Sequence, residues 1–233
     1  MINIANYIAG NAIRILALIT LRLFPSFKKQ FTRIENKIET INRRNFRLPQ
    51  HLILSIIEIE DKRYFHHLGI DFYSILRALL KNITTNRFEG ASTIVQQLVR
   101  VITDEREISI RRKVKEIMLA VLINNEFTKN EIISAYLNTY RFHYCYGIFA
   151  FCKAEKYDID NLSFNECAQI AARLKYPSIN KSNYIKYLKR VRTIERKTMP
   201  TASNRKNGGE EITQVLFFAP TFISIKAEVF RRL

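Results

Sequence analysis

The sequence predicts a mainly α-helical protein, and three observations carry that reading. Apolar residues recur at helical spacing along most of the chain. No stretch alternates apolar and polar residues convincingly over five or more positions. Glycine numbers only 6 and tryptophan is absent, which argues against glycine-rich phosphate loops and repetitive β architectures. At 233 residues, 47% hydrophobic and 12% aromatic, the chain has room for one catalytic domain with a proper core, plus an anchor or tail. A disordered basic tail is excluded, because such tails are poor in both classes.

Residues 1–30 read as a membrane anchor or an interfacial helix. Ile2 to Phe24 is mostly apolar, but Arg14 and Arg22 interrupt it and the unbroken run covers only Ile15–Leu21. A spanning helix needs about 20 apolar residues, and a central arginine costs about 2.5–3.5 kcal/mol on insertion scales. A span and an amphipathic helix lying on a bilayer or on the protein both remain open. No A-x-A site follows, so an uncleaved anchor is favoured over a cleaved signal. Lys28, Lys29 and Arg33 come next, and the positive-inside rule would hold them in the cytoplasm.

From about Leu48 the pattern is helical. Leu52, Ile53, Ile56, Ile57 and Ile59 lead into a polar break, and Phe72, Ile75, Leu76, Leu79 and Leu80 mark a second helix. A loop is expected over Asn82–Gly90, then a helix through Ile94, Leu98 and Val101. A long amphipathic helix spans about Ile110–Asn125. Thr128 with Glu131 forms a capping box for a helix through Ile132, Ile133 and Leu137. Asn165–Leu174 is one more helix, ended by Pro177. Residues 199–233, with the Gly208-Gly209 pair and an apolar stretch from Ile212 to Ile225, form a tail without a clear period.

The 38 Lys+Arg exceed the 21 Asp+Glu by 17. Such an excess fits nucleic acid, an anionic membrane or a phosphorylated substrate, and charge alone does not choose. Cys145, Cys152 and Cys167 cannot all pair and lack CxxC spacing, so neither a disulfide scaffold nor a zinc module is expected.

Three polar clusters interrupt helix-forming sequence. In Glu60-Asp61-Lys62-Arg63-Tyr64-Phe65-His66-His67-Leu68-Gly69, adjacent carboxylates at the end of an apolar helix can be driven apart in acidity, as a general base requires. A solvated helix end is the alternative. In Gly90-Ala91-Ser92-Thr93-Ile94-Val95-Gln96-Gln97-Leu98, Ser92 or Thr93 caps a helix whose first turn could meet an anion; a structural cap reads equally well. In Arg111-Arg112-Lys113-Val114-Lys115-Glu116, Arg112 and Glu116 share a helix face suited to phosphate or a divalent metal. Here the alternative is a solvated charged face.

In this order and at these spacings the clusters resemble the motifs of the peptidoglycan glycosyltransferase family, found in monofunctional transglycosylases and at the front of class A penicillin-binding proteins. That family's E-D-x-R-F-x-x-H-x-G is matched by Glu60, Asp61, Arg63, His67 and Gly69, with Tyr64 for Phe. Its G-A-S-T-I-T-Q-Q-L is matched from Gly90 to Leu98, except for Val95. Arg112, Lys113 and Glu116 meet R-K-x-x-E, Tyr136-Leu137-Asn138 meets Y-L-N, Gly147-Ile148 meets G-I, and Tyr176-Pro177-Ser178 echoes the last motif. The resemblance covers about residues 45–190. Departures include Ile108 where a basic residue is common, Asn124 where Glu is usual, the diverged Thr139–Tyr146, and Ala172-Arg173-Leu174-Lys175 in place of a small, glycine-containing segment.

The resemblance implies a lysozyme-like helical head with a smaller membrane-facing lobe, and a glycosyltransferase domain over residues 45–198. It implies polymerisation of lipid-linked disaccharide on the extracytoplasmic face of the bacterial cytoplasmic membrane, with release of undecaprenyl pyrophosphate. By similarity Glu60 is the general base. Glu116, with Arg112 and Lys113, stabilises the leaving pyrophosphate, and Glu116 holds a divalent metal, Mg2+ or Mn2+. Asp61, Arg63, Ser92, Thr93, Gln96, Gln97 and Arg100 would bind substrate, and His67 would be architectural. The implied partners are the lipid-linked substrate, the membrane and cell-wall synthesis proteins. No nucleic acid is expected, since no recognition motif of that class is visible. A lysozyme-type glycan-cleaving enzyme and a diverged, inactive membrane protein keeping the fold are the alternatives. The basic stretch Lys186–Lys197 is expected to play no part in the reaction.

Overall fold

A computed structural model describes residues 4–85, 90–105 and 107–199. The tail expected over residues 199–233 lies outside them, apart from Met199.

The described residues are mainly α-helical. The helices are α1 (Ile4–Leu23), α2 (Pro25–Asn42), α3 (Gln50–Glu60), α4 (Phe72–Thr85), α5 (Ile94–Thr103), α6 (Ile110–Glu126), α7 (Lys129–Thr139), α8 (Ile148–Ala154), α9 (Phe164–Arg173) and α10 (Tyr184–Thr198). Short 3-10 turns cover Tyr64–His66 and Ile159–Asn161. Among the described residues the only sheet is a two-stranded hairpin of β1 (Arg141–Phe142) and β2 (Cys145–Tyr146).

The core joins every helix except α4. Ile34 and Ile38 of α2, Leu52 and Ile56 of α3, Leu98 of α5, Leu119 of α6, Leu137 of α7 and Ile194 of α10 are fully buried. α3 packs against α9 and α10, α5 against α6 and α7, α2 against α7, and α1 against α6. All three cysteines are free thiols.

The capping chemistry places the long helices where expected. Ser109 caps α6 by accepting from Arg112 N, and Thr128 with Glu131 forms a complete capping box on α7. Ser163 and Glu166 do the same for α9. The loop expected over Asn82–Gly90 begins later, because α4 continues to Thr85 with Thr84 Oγ1 bonded back to Leu80 O at 2.8 Å.

The N-terminal segment differs from a simple anchor. No single described helix is long and apolar enough to cross a membrane, and α1 meets α2 at 111°. Phe24 is extended at the break and Pro25, which lacks a donor N–H, opens α2. One side of α1 is part of the protein body. Asn6 and Ala17 are buried there, and a Cβ on Gly10 would sit 3.1 Å from Leu68 Cβ. The other side leaves Ile8, Ile15, Leu16, Ile19 and Leu23 exposed.

Candidate active site

The first two motifs are stitched to each other before they meet any ligand. Asp61, buried at the C-cap of α3, accepts from Ile94 N at the start of α5 (3.0 Å) and from His67 Nε2 (2.9 Å). Gly69 N donates to His67 Nδ1, which leaves the proton on Nε2 facing Asp61. Burial, with Lys129 adding and Asp61 opposing, holds His67 below its ordinary value, so it is neutral and architectural. Thr93 Oγ1 donates to Gly69 O at 2.8 Å and accepts from Gln96 N. Gly69 has φ +89 and a Cβ there would lie 2.6 Å from Ala120 O, so glycine is required.

That stitching sets α5 across the end of α3. Gln97 Nε2 donates to Glu60 Oε2 at 3.2 Å, and Gln97 Oε1 accepts from Tyr136 OH at 2.8 Å. Arg190, from α10, holds the other oxygen, with Nη2 3.1 Å from Glu60 Oε1. Burial pushes the nearby Tyr140 phenol up to about 12, with the Glu60 charge adding.

One turn further along α5 lies the second cluster. Glu116 is 3% exposed and accepts from Arg100 Nε and Nη2 (3.0 Å each), Arg112 Nη1 (2.6 Å) and Lys113 Nζ (2.6 Å). Burial opposes its ionisation, but the hydrogen bonds from Arg100 and Lys113 and their charges outweigh this and hold it below its ordinary value. Lys113 also reaches Ser92 Oγ (3.1 Å) and Gln96 Oε1 (2.8 Å). Burial draws its pKa down, against the pull of Glu116. Three cations around one carboxylate leave a local charge of +2. Gln96 Nε2 and Arg112 Nε are buried without a partner among the described residues.

Ser92, Gln96, Arg100, Arg112, Lys113 and Glu116 therefore come together, and Gln97 joins Glu60. Asp61, Thr93 and Arg63 do not join either cluster. The first two spend their polar atoms on the protein, and Arg63 pairs with Asp71 (2.8 Å) and Ser74 while lying over the Tyr73 ring. The basic stretch of α10 is not inert throughout, because Arg190 touches Glu60. No local signal marks that residue: the pair is 130 positions apart. Tyr136, quoted only as part of Y-L-N, gains a definite place beside Gln97.

No group of three metal-ligating side chains occurs among the described residues. Glu116 alone could contribute a carboxylate, and both of its oxygens already face three cations. Mg2+ is commonly held by one or two carboxylates together with substrate phosphates, so Glu116 would be one ligand of an ion that the substrate brings.

The fold and the paired clusters define an α-helical domain in which one carboxylate, Glu60, stands beside a cluster of three cations around Glu116. The chain belongs to the transglycosylase family: the family model described as Transglycosylase matches residues 28–200. Penicillin-binding protein 1A of Rickettsia typhi is 41% identical over 139 residues, covering 56% of this chain and 18% of that protein. Penicillin-binding protein 1A of Clostridium perfringens is 32% identical over 163 residues, covering 63% of this chain and 24% of that protein. The matches thus span less than a quarter of these relatives' length.

Proposed function

We propose that the chain is a peptidoglycan glycosyltransferase that polymerises lipid-linked disaccharide into glycan strands. The observation that carries this reading is the role of α5 as a shared bar. Through Gln97 it meets Glu60, and through Gln96 and Arg100 it meets the Lys113–Glu116 cluster. A base and a cationic leaving-group site are thereby held at a fixed offset, as direct displacement requires.

In this reading Glu60 takes the proton from the acceptor sugar hydroxyl as that oxygen bonds to the donor's anomeric carbon. The bond from that carbon to the pyrophosphate breaks with inversion, and no enzyme nucleophile takes part. Arg190 and Gln97 fix the side-chain position of Glu60. Arg100, Arg112 and Lys113 receive the charge that develops on the departing pyrophosphate. Glu116 keeps those cations ordered. Mg2+ or Mn2+, if used, would come with the pyrophosphate oxygens, and no step is assigned to it.

Membrane residence, on the extracytoplasmic face of a bacterial cytoplasmic membrane, belongs to the same proposal. Its support is the apolar surface on α1, continued by Leu76, Leu79, Leu80 and Ile83 of α4, which are more than half exposed. Cell-wall synthesis proteins are the proposed partners there. The deciding experiment incubates the purified chain with labelled lipid-linked disaccharide and separates polymer from substrate. Polymer is expected; cleavage of preformed glycan without polymerisation would instead indicate a lysozyme-type hydrolase.

A further inference from the structure

Helix α2 carries a row of cations that the reaction centre does not use. Lys29, Arg33 and Lys37 recur every four residues, Lys28 stands beside Lys29, and none of them belongs to the buried side of the helix formed by Phe27, Ile34, Ile38 and Ile41. All four are exposed, and none makes an ion pair among the described residues. Of the carboxylates nearby in sequence or in the fold, Glu39 pairs with Arg43, and Glu105 with Lys115 and Gln30.

These cations line a groove of about 1210 Å³. Its other wall comes from the ends of α5 and α7 and from β2, and includes Asn138 and Tyr146. No carboxylate lines it. The stripe from Lys28 to Lys37 runs about 13 Å at 1.5 Å per residue, so a ligand that meets all four cations must be extended. The groove is concave, which does not suit the flat surface of a bilayer. The exposed aliphatic side chains of α1 and α4 that would suit it do not line this groove. Amides, hydroxyls and an exposed tyrosine between the cations are the groups that hydrogen-bond and stack on sugars.

We infer that the α2 groove binds an extended acidic glycan, a saccharide strand carrying carboxylates along its length. The inference deepens the proposed polymerase reading and rests on it for the identity of the strand, which would be the product. Val101, on the groove wall, stands one turn past Gln97 on α5. A strand in the groove would therefore lie against the same helix that positions Glu60.

The test uses the full chain in detergent and a fluorescent oligogalacturonate, followed by anisotropy. A neutral chitooligosaccharide of equal length, phosphatidylglycerol vesicles and a single-stranded oligonucleotide serve as comparisons. The variant replaces Lys28, Lys29, Arg33 and Lys37 by Gln. Their exposure keeps the fold out of question, and circular dichroism checks it. The wild type should bind oligogalacturonate at least about tenfold more tightly than the neutral sugar, and the variant should lose at least about tenfold. Vesicle binding should stay within about twofold. In the polymerisation assay the variant should still turn over but release shorter strands. Retention of oligogalacturonate binding by the variant overturns the inference. So does equal binding of the oligonucleotide, or a loss of vesicle binding in step with the loss of sugar binding. Binding of oligogalacturonate by a chain that makes no polymer would uphold the groove and refute the polymerase reading instead.

Discussion

Asn124→Glu should stabilise the protein at neutral pH and change how its stability depends on pH. Lys129, at the start of α7, points its ammonium into the protein behind the first motif. Nζ donates to Asn124 Oδ1 (2.6 Å) and His67 O (3.0 Å), and lies 4.6 Å from the centre of the Tyr64 ring. None of these partners is an anion, and burial draws the lysine down to about 7, opposed only by the more distant Asp61 charge. A folded value below the unfolded one means that charged Lys129 costs stability. Below about 7 both states hold the proton and the cost is complete. From about 7 to 10.5 the unfolded chain binds more protons, so stability rises with pH; above 10.5 the cost is gone. The gap corresponds to at most about 5 kcal/mol at 1.36 kcal/mol per tenfold. The lysine stem is partly exposed, so solvent screening brings the expected effect to about 2 kcal/mol. A carboxylate at position 124, where the family usually has one, would supply the missing anion. Urea unfolding of both proteins should show the variant more stable by about 2 kcal/mol near pH 6.5, with the advantage vanishing near pH 10. Taking the difference cancels other titrating groups. An advantage that does not change with pH, or a variant that is less stable at pH 6.5, would refute the reasoning.

Four further outcomes follow from the site. Glu60→Gln should lower polymerisation about 10²–10⁴-fold with circular dichroism unchanged; a rate above about a tenth of wild type removes Glu60 from the base role. Glu116→Gln should cut polymerisation steeply and also cost about 3–5 kcal/mol in urea unfolding, since three cations lose their buried counter-charge; a fully stable variant would contradict the geometry. Arg190→Met should reduce the rate at least about tenfold, whereas Lys186→Gln and Lys189→Gln on the exposed face of α10 should stay near wild type, because such charges are screened beyond about 8 Å at physiological salt. Equal losses would mean that α10 acts only through net charge. Replacing Ile15 and Leu79 by Ser should release a measurable fraction of the protein from vesicles in flotation; unchanged partition would move the membrane surface elsewhere.

Much of the frame was legible because it rests on local signals. The Thr128–Glu131 capping box and the α6 periodicity name their helices within the sequence itself. α2 and α10 were harder, since their apolar stripes, such as Tyr187, Val191 and Ile194 on α10, are diluted by lysine and arginine. Lys28, Lys29 and Arg33 follow the apolar N-terminal segment, and their place along a groove is visible only in the fold. Motif spacing located the site, yet it did not separate residues that face a ligand from those that bind the motifs together. Asp61 and Thr93 belong to the second kind, and only contacts with Ile94 N and Gly69 O across the fold reveal it. Arg190 reaches Glu60 from a distant helix, a relation that no local spacing encodes.

The docking of α1 has a practical consequence for truncation. Asn6 Oδ1 accepts from Phe72 N at 2.9 Å and so caps α4, while the Asn6 amide meets Asp71, the partner of Arg63. Removing residues 1–29 to obtain a detergent-free fragment would strip α4 of that cap, uncover Leu68, and loosen the segment that carries His67 and Gly69. A fragment that lost activity in this way would report damage to its scaffold rather than separation from the membrane. Surface substitutions on α1 that leave Asn6, Gly10 and Ala17 in place are the sounder route to a detergent-free protein.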